Sequence, residues 1–330
     1  MVMVMVMVMT ISRYKLGKVI GIGAYGIVHR GLNLETNQIV AIKRFYTFDC
    51  KNGVPYTTIR EISMLIEMYH INIVKLLDVI SNTKNEWYII FEYLDLDLEK
   101  YMVTYLKDSM AKHTIKYIMH QILSGVMYCH KHRIMHQDLT PDNLLIDLNA
   151  SVVKIADFGM ARAFDFPLRA YSPEVVTIWY KAPEILLGSP VYSMAIDVWS
   201  VGCIFAKMLM RQNLFAGASK NEHLRKIFSI IGTPNERTWP GVTSLPYYPA
   251  GLPEYYPENL EEFFPDLEPA GVDLLSEMLC MNPARRISAR RALGHAYFKK
   301  KKRKEKKEKK MTILDPIEEE EEEEDDDDDP

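Results

Sequence analysis

The hydrophobic pattern changes period part-way along the chain. From Tyr14 to Phe45, apolar and β-branched residues alternate with polar ones and are interrupted by glycines, which predicts strands joined by turns. Residues 57–69 then space Ile59, Ile62, Leu65 and Ile66 by three and four, the stripe of an amphipathic helix. Strand patterning returns over Ile73 to Val79 and over Trp87 to Phe91. From Asp97 onward the pattern is mainly helical, over 97–106 and 112–132. It is broken by a polar loop at 136–143 and by short strands near 143–147 and 152–155. A further apolar helix opens at Asp197-Val198-Trp199-Ser200-Val201-Gly202. A strand-rich first part followed by a helical second part predicts an α+β fold in two lobes. The length of 330 residues accommodates both, and a 48% hydrophobic content supplies their cores.

The two ends of the chain fit neither pattern. Residues 1–9 alternate Met and Val with no polar face. That run is too short to span a membrane and lacks the basic start and small-residue cleavage site of a signal peptide. Residues 1–13 are expected to be a disordered or artefactual extension, and no longer apolar run points to a membrane partner. Residues 299–310 carry ten Lys or Arg and two Glu, and residues 311–330 carry thirteen acids and no base. Like-charge blocks repel internally, so 299–330 is expected to be a disordered tail. Taking those ten bases and fifteen acids from the chain's 40 and 44 leaves 30 and 29 on residues 1–298. A near-neutral body shows no global nucleic-acid footprint; the tail reads either as a solvated extension or, more sharply, as a basic nuclear-import or nucleic-acid patch that the acidic run would mask, and nucleic acid is not expected as a partner except through it. Cys50, Cys129, Cys203 and Cys280 are scattered without C-x-x-C pairing. They are expected to be reduced and buried in a protein of the nucleus and cytoplasm, which argues against a disulfide framework or a zinc site.

The polar loop carries the candidate chemistry. His136-Gln137-Asp138-Leu139-Thr140-Pro141-Asp142-Asn143 places an acid and an amide five residues apart. Asp138 can orient a hydroxyl and take its proton, and Asn143 can hold a metal ion. Upstream, Gly21-Ile22-Gly23-Ala24-Tyr25-Gly26-Ile27-Val28 has the spacing G-x-G-x-x-G-x-V, in which glycines let backbone amides approach phosphate oxygens. A dinucleotide fingerprint with this spacing opens a helix; here a second strand follows, ending in Val40-Ala41-Ile42-Lys43. Glu61 lies on the 57–69 helix, within reach of an ion pair with Lys43. Phe91-Glu92-Tyr93-Leu94 reads as the connector between lobes. Asp157-Phe158-Gly159 follows a strand, 19 residues after Asp138, and Ala182-Pro183-Glu184 comes later. Arg286, before the last helix, is the expected ion-pair partner of Glu184, and Asp197 is expected to brace the loop backbone.

These motifs, in this order, resemble a eukaryotic protein kinase over residues 14–298. More narrowly they resemble a cyclin-dependent kinase, similar to the plant A-type members. The marker is Pro55-Tyr56-Thr57-Thr58-Ile59-Arg60-Glu61, similar to the P-S-T-A-I-R-E cyclin-binding helix. Glu174-Val175-Val176-Thr177 and Gly232-Thr233-Pro234-Asn235-Glu236 match as well. The T-x-Y signature of mitogen-activated kinases is absent, since Ala170 and Tyr171 stand there.

The resemblance implies a bilobal kinase fold, with a β-rich lobe over 14–94, a helical lobe over 95–298, and ATP and Mg²⁺ between them. It implies nucleotide contacts from Ile20, Gly21, Ile22, Gly23, Ala24, Tyr25, Gly26, Val28, Ala41, Lys43, Phe91, Glu92, Leu94, Asp97 and Leu145. Lys43, aligned by Glu61, would hold the α- and β-phosphates. Asn143 and Asp157 would hold the metal, and Asp138 would accept the substrate hydroxyl proton. Thr177 belongs to the implied catalytic set. The implied partners are a cyclin docked on the Pro55–Glu61 helix through Ile59, and proteins with Ser/Thr-Pro sites, the proline received by Val175 and Val176.

Several positions depart from the family pattern. Thr140 stands where Ser/Thr kinases carry a lysine beside the γ-phosphate, and loss of such a donor costs roughly 10²–10³ in rate. Gln137 replaces an arginine of the phosphate cradle of the activation loop, leaving Arg60 and Arg162 to receive a phosphate on Ser172. Ala24 removes one inhibitory phosphosite, and Tyr25 keeps the other. Ala218-Ser219-Lys220-Asn221-Glu222 departs from the acidic segment that binds a small accessory subunit, which argues against that contact. Two readings follow: a cyclin-dependent, proline-directed Ser/Thr kinase of cell-cycle control, or a weakened kinase-like regulator that binds nucleotide or cyclin.

Overall fold

In a computed structural model of the chain, the described residues are 13–23, 26–45, 56–81, 87–105, 110–163, 178–249, 251 and 253–299. Strands β1 (Tyr14–Gly23), β2 (Gly26–Asn33), β3 (Ile39–Phe45), β4 (Leu76–Ser81) and β5 (Trp87–Glu92) form an antiparallel sheet in the order β1-β2-β3-β5-β4. Helix α1 (Tyr56–Glu67) lies between β3 and β4 in sequence. The second part is built on α2 (Leu98–Tyr105), α3 (Lys112–Lys131), α4 (Pro183–Leu186), α5 (Ala195–Met210), α6 (Lys220–Ile231), α7 (Leu260–Phe263), α8 (Pro269–Met278) and α9 (Ala289–Leu293). Two small sheets complete it: β6 (Leu96–Asp97) with β8 (Leu144–Asp147) and β9 (Val152–Ile155), and β7 (Ile134–Met135) with β10 (Arg162–Ala163). The α+β, two-lobed architecture is the one the pattern predicts. Among the described residues no helix is long and apolar enough to cross a membrane.

Strand alternation decides what faces the space between the lobes. Val40 and Ile42 of β3 and Tyr88 and Ile90 of β5 turn to one face, where they form a small core with Tyr14 and Ile80. The alternate positions, Phe45 of β3 and Ile89 and Phe91 of β5, join the main core, with Ala41 packed against it. Lys43 shares the phase of Ala41 and Phe45, so the period of two turns it inward and buries it. Its partners across the ladder are Val28 and Ile89. Ile62, Leu65 and Met68 pin α1 to the main core.

The three glycines at the β1–β2 tip have different reasons to be glycine. A Cβ on Gly26 would lie 2.2 Å from the Arg44 carbonyl oxygen of β3, so the strand pairing itself forbids a side chain. A Cβ on Gly21 would meet Val28 at 3.8 Å, an ordinary contact, and one on Gly23 would meet nothing within 4 Å.

The structure corrects four details of the sequence reading. Helix α1 ends at Glu67, short of Tyr69. The strand expected from Ile73 begins at Leu76; Ile73 instead makes an isolated parallel bridge to Ile155 of the helical part, which explains its burial. Asp97 is no helical residue: it sits in β6, where its carboxylate accepts from Lys100 N at 2.7 Å and pairs with Lys100 Nζ at 2.9 Å, an N-terminal cap for α2. Cys129 and Cys203 are free and buried as expected, but Cys280 is only half-buried.

Helix α5 is buried on nearly every side, which its apolar sequence anticipates. Its N-terminal end is held by Arg286, whose side chain is fully buried. NH1 and NH2 of Arg286 donate to Oε1 and Oε2 of Glu184 in α4 at 2.8 and 2.9 Å. NH1 also donates to the Ala195 carbonyl at 2.8 Å, and Nε to the Cys280 carbonyl at 3.0 Å. The guanidinium lies 5.0 Å from the Trp199 ring. One cation therefore ties α4, the start of α5 and the chain after α8. Removing one partner of such a pair strands a buried charge. Arg286→Met is expected to lower unfolding free energy by about 3–5 kcal/mol, read from the chemical denaturation midpoint; a loss below ~1 kcal/mol would show that the pair is not the tie described.

Candidate active site

A cleft of about 630 Å³ opens between the β-sheet and the helical part. Its roof is Ile20, Gly21, Ile22, Gly23, Gly26, Val28, Ala41 and Lys43; the connector contributes Phe91 to Asp97; Asp142, Asn143, Leu145, Ala156 and Asp157 lie below and behind. Lys18, Val19, Val74 and Lys100 line it as well and were not anticipated.

At the back, Lys43 Nζ donates to Asp157 Oδ1 at 3.0 Å. Asp157 has φ 57° and ψ 72°, left-handed backbone that Asp tolerates because its short side chain bonds locally. Here its Oδ1 accepts from Gly159 N at 3.4 Å. The next residue, Phe158, is fully buried, stacks edge-on against His136 with centroids 4.9 Å apart, and belongs to the turn on which α1 packs. With Phe158 locked inward, Asp157 is aimed into the cleft. Burial works against ionisation of Asp157, but the Lys43 ammonium, His136 and the Gly159 amide outweigh it and hold the carboxyl below its ordinary range.

The loop 136–143 is fixed from below by Asp197 of α5. Oδ2 accepts from His136 N at 2.9 Å and is bonded to His130 Nε2 at 2.9 Å; Oδ1 accepts from Gln137 N at 2.9 Å. Gln137 itself has φ 70°, so the brace holds a non-glycine residue in the left-handed region. His136 Nε2 meets the Ala156 carbonyl at 2.9 Å. Asp138 follows, and Asn143 Nδ2 donates to the Asp138 carbonyl at 2.7 Å. With its amide nitrogen committed, Asn143 keeps its side-chain oxygen as the available ligand atom. The Asp138 carboxylate accepts from Lys181 Nζ at 2.8 Å, and Lys181 Nζ also donates to the Gln137 carbonyl at 2.8 Å.

The structure thus brings Lys43, Asp157 and Asn143 to one cleft, with Asp138 tied to Asn143 at its edge. Every described residue among the expected nucleotide contacts lines the same cleft. Glu92 contributes differently from its neighbours. Its carboxylate accepts from Lys154 Nζ at 2.7 and 2.9 Å and from Lys75 N at 2.7 Å, clamping the connector to both lobes. Glu61 and Arg60 lie on α1 and Arg162 on β10, but their side chains fall outside the described residues, as do Ala24, Tyr25, Pro55, Ser172, Val175, Val176 and Thr177. Sequence reasoning missed Lys181 and His130. No local pattern names their partners, although Lys181 adjoins Ala182-Pro183-Glu184: Lys181 contacts Asp138 across 43 residues of chain, and His130 contacts Asp197 across 67.

The oxygen donors suit a magnesium ion. Mg²⁺ takes one or two protein oxygens and completes its shell with phosphate and water. Asp157 and Asn143 supply that number, while among the described residues no cluster of three His, Cys, Asp or Glu offers a cage for another ion. The glycine tip and the Lys43 ammonium suit phosphate oxygens.

The brace under the loop makes a pH prediction. Asp197 is fully buried, and burial opposes its charge, but His130, His136 and the Gln137 amide reverse that and hold it below the ordinary value of 3.8. Because the folded-state pKa is the lower one, the stabilisation is complete above the unfolded value and is lost as pH falls through the folded value. Asp197→Asn is therefore expected to cost about 1.5–3 kcal/mol at pH 7, and the gap to wild type should narrow below about pH 4. A gap independent of pH, in denaturant titrations from pH 7 to 3, would contradict this.

The family model for the protein kinase domain matches residues 14–298. That span contains the sheet, the cleft, the braced loop and Asp157, and the chain belongs to the protein kinase family.

Proposed function

We propose that this kinase is a cyclin-dependent, proline-directed Ser/Thr kinase that transfers the ATP γ-phosphate to Ser/Thr-Pro sites in cell-cycle control, in the nucleus and cytoplasm. The observation that carries the catalytic part is the convergence of Lys43, Asp157 and Asn143 on one cleft, with Asp138 tied to Asn143. MgATP supplies the phosphoryl group and metal charge when bound. The chain's own residues position it: Lys43 and the glycine tip hold phosphate oxygens, Asn143 and Asp157 take the metal, and Asp138 orients the substrate hydroxyl and accepts its proton. Glu61 would align Lys43, and Thr177 would complete the catalytic set.

The finer class rests on the sequence. The Pro55–Glu61 segment resembles a cyclin-binding helix, and Tyr56–Glu61 opens α1, which packs on the turn that carries Phe158. A cyclin on that helix would set Glu61 relative to Lys43. Tyr25 and Ser172 are proposed regulatory phosphosites, with Arg60 and Arg162 receiving phosphate at Ser172 and Gln137 contributing no charge. The basic run of 299–310 fits nuclear import.

Two experiments test this reading. With a cyclin and MgATP, purified protein is expected to phosphorylate a Ser-Pro peptide at least about 10²-fold faster than its Asp157→Ala variant. A Ser-Ala peptide or omission of cyclin should suppress transfer. Phosphorylation no faster than the Asp157→Ala background sinks the kinase assignment, and equal rates on both peptides sink the proline-directed one. At the tip, Gly23→Ala is expected to leave the melting temperature unchanged and raise KM for ATP, because its Cβ meets no protein atom. Gly26→Ala is expected to lower the melting temperature as well, because its Cβ would lie 2.2 Å from Arg44 O. The same thermal profile for both variants would contradict the distinction.

A further inference from the structure

The loop that carries Asp138 has lost the cation expected two residues beyond it. Thr140 is buried with extended backbone, φ −140° and ψ 162°, and brings no charge to the acid from that side. A cation reaches the acid from elsewhere. Lys181 lies between the short turn at Ile178–Tyr180 and α4, and its Nζ stands 2.8 Å from Asp138 Oδ1. The same nitrogen bonds the carbonyl of Gln137 at 2.8 Å, so it grips the acid and the backbone just before it. The side chains of Lys181 and Asp138 are 8% and 21% exposed, and an ion pair so poorly solvated is weakly screened.

The base on which Lys181 stands is rigid. Its own amide donates to Ile178 O at 3.0 Å. The preceding residue, Tyr180, is buried; its hydroxyl donates to Asn213 Oδ1 at 2.9 Å, and its carbonyl accepts from Ser200 Oγ of α5 at 2.8 Å. The residue after it, Ala182, is buried and caps α4, which Arg286 holds. A long, flexible side chain loses little by adopting one geometry when both of its ends are so anchored, and preorganised charge is the kind that counts in a transition state.

We propose that Lys181 is the positioning residue for Asp138, performing from the α4 side the role that Thr140 cannot: it fixes the carboxylate's direction and supplies positive charge beside the transferring phosphoryl group. This rests on the kinase reading above and deepens it. The cation of the site has moved from the loop to the segment that ends at α4, and the acid is charge-compensated without a lysine at 140. Lysine suits the task because a compact ammonium can bond a carboxylate and a carbonyl at once, in directions that a planar guanidinium fork does not match.

The test uses the full chain with its cyclin. Lys181→Met is expected to lower kcat about 10²–10³-fold while KM for ATP stays within about twofold, the mark of a group that acts in the chemical step. Lys181→Arg should recover part of the loss. Restoring a lysine at the other position decides the matter: Thr140→Lys should raise kcat at least about tenfold more in the Lys181→Met background than in the wild-type chain. A purely structural latch would not be rescued in this way, so equal gains in the two backgrounds, or a Lys181→Met enzyme within about threefold of wild type, overturn the proposal. A readout without nucleotide reports the pair itself: Lys181→Met and Asp138→Asn should lower the melting temperature non-additively, and strict additivity would show that the contact is not energetically coupled. A wild-type chain that transfers no phosphate would instead overturn the kinase reading, and the role with it, while non-additive melting would still report the ion pair.

Discussion

A single buried carboxylate sets the frame of the site. Asp197 takes two consecutive loop amides and His130 on its two oxygens, with no solvent to share the work. Three donors offset the cost of burying the charge, and the charge in turn holds Gln137 at a positive φ that would otherwise cost about 1–3 kcal/mol. That strained turn is what presents Asp138. Asn143 is then placed by its bond to the Asp138 carbonyl, so the acid and the amide proposed to hold the metal share one origin on α5.

The same helix registers the other wall. Arg286 bonds Ala195 at the start of α5 and Glu184 in α4, and Ser200 of α5 bonds the carbonyl of Tyr180. Lys181 sits between those two attachments. Two residues 43 positions apart can therefore hold a 2.8 Å contact because both are indexed to one rigid helix rather than to each other. The Lys43–Asp157 pair is organised differently. It joins the sheet to the helical part directly, through strand phase on one side and the buried Phe158 on the other.

Local patterns were legible in the sequence in proportion to how local their physics is. Lys43 was singled out by the glycine loop and the strand that ends in Val40-Ala41-Ile42-Lys43, and the apolar character of α5 was enough to bury it. The Arg286–Glu184 pair was legible because Glu184 closes the Ala182-Pro183-Glu184 motif and Arg286 stands before the last helix. Ile73 was misassigned because periodicity registers burial but not pairing: it is buried in the main core and pairs with Ile155 of the other part rather than within the sheet. Asp97 was absorbed into the following helix because a cap and a first-turn residue look alike in sequence. Glu92 was placed with the nucleotide contacts by its position in the connector, yet its carboxylate serves Lys154 and Lys75. Lys181 stands directly before Ala182-Pro183-Glu184, but nothing in that motif points across 43 residues to Asp138.

The two departures in the loop are accordingly different in kind. At 140 the missing charge is one that only has to be near Asp138, and position in space can be met from another segment; the Lys181 ammonium meets it. At 137 the missing charge belonged to a guanidinium whose fork geometry matches a phosphate, and an amide has neither the charge nor the second donor pair. The Gln137 side chain is buried and its Nε2 finds no partner among the described residues, so the substitution has not been absorbed by a new polar contact there. Loss of the catalytic cation is compensated within the fold, and loss of the phosphate-reading cation is not. On the proposed reading, the loop is equipped to act on a hydroxyl while depending less on a phosphate at Ser172 to hold it in shape, and the weight of control shifts toward Tyr25, α1 and the Lys43–Asp157 contact.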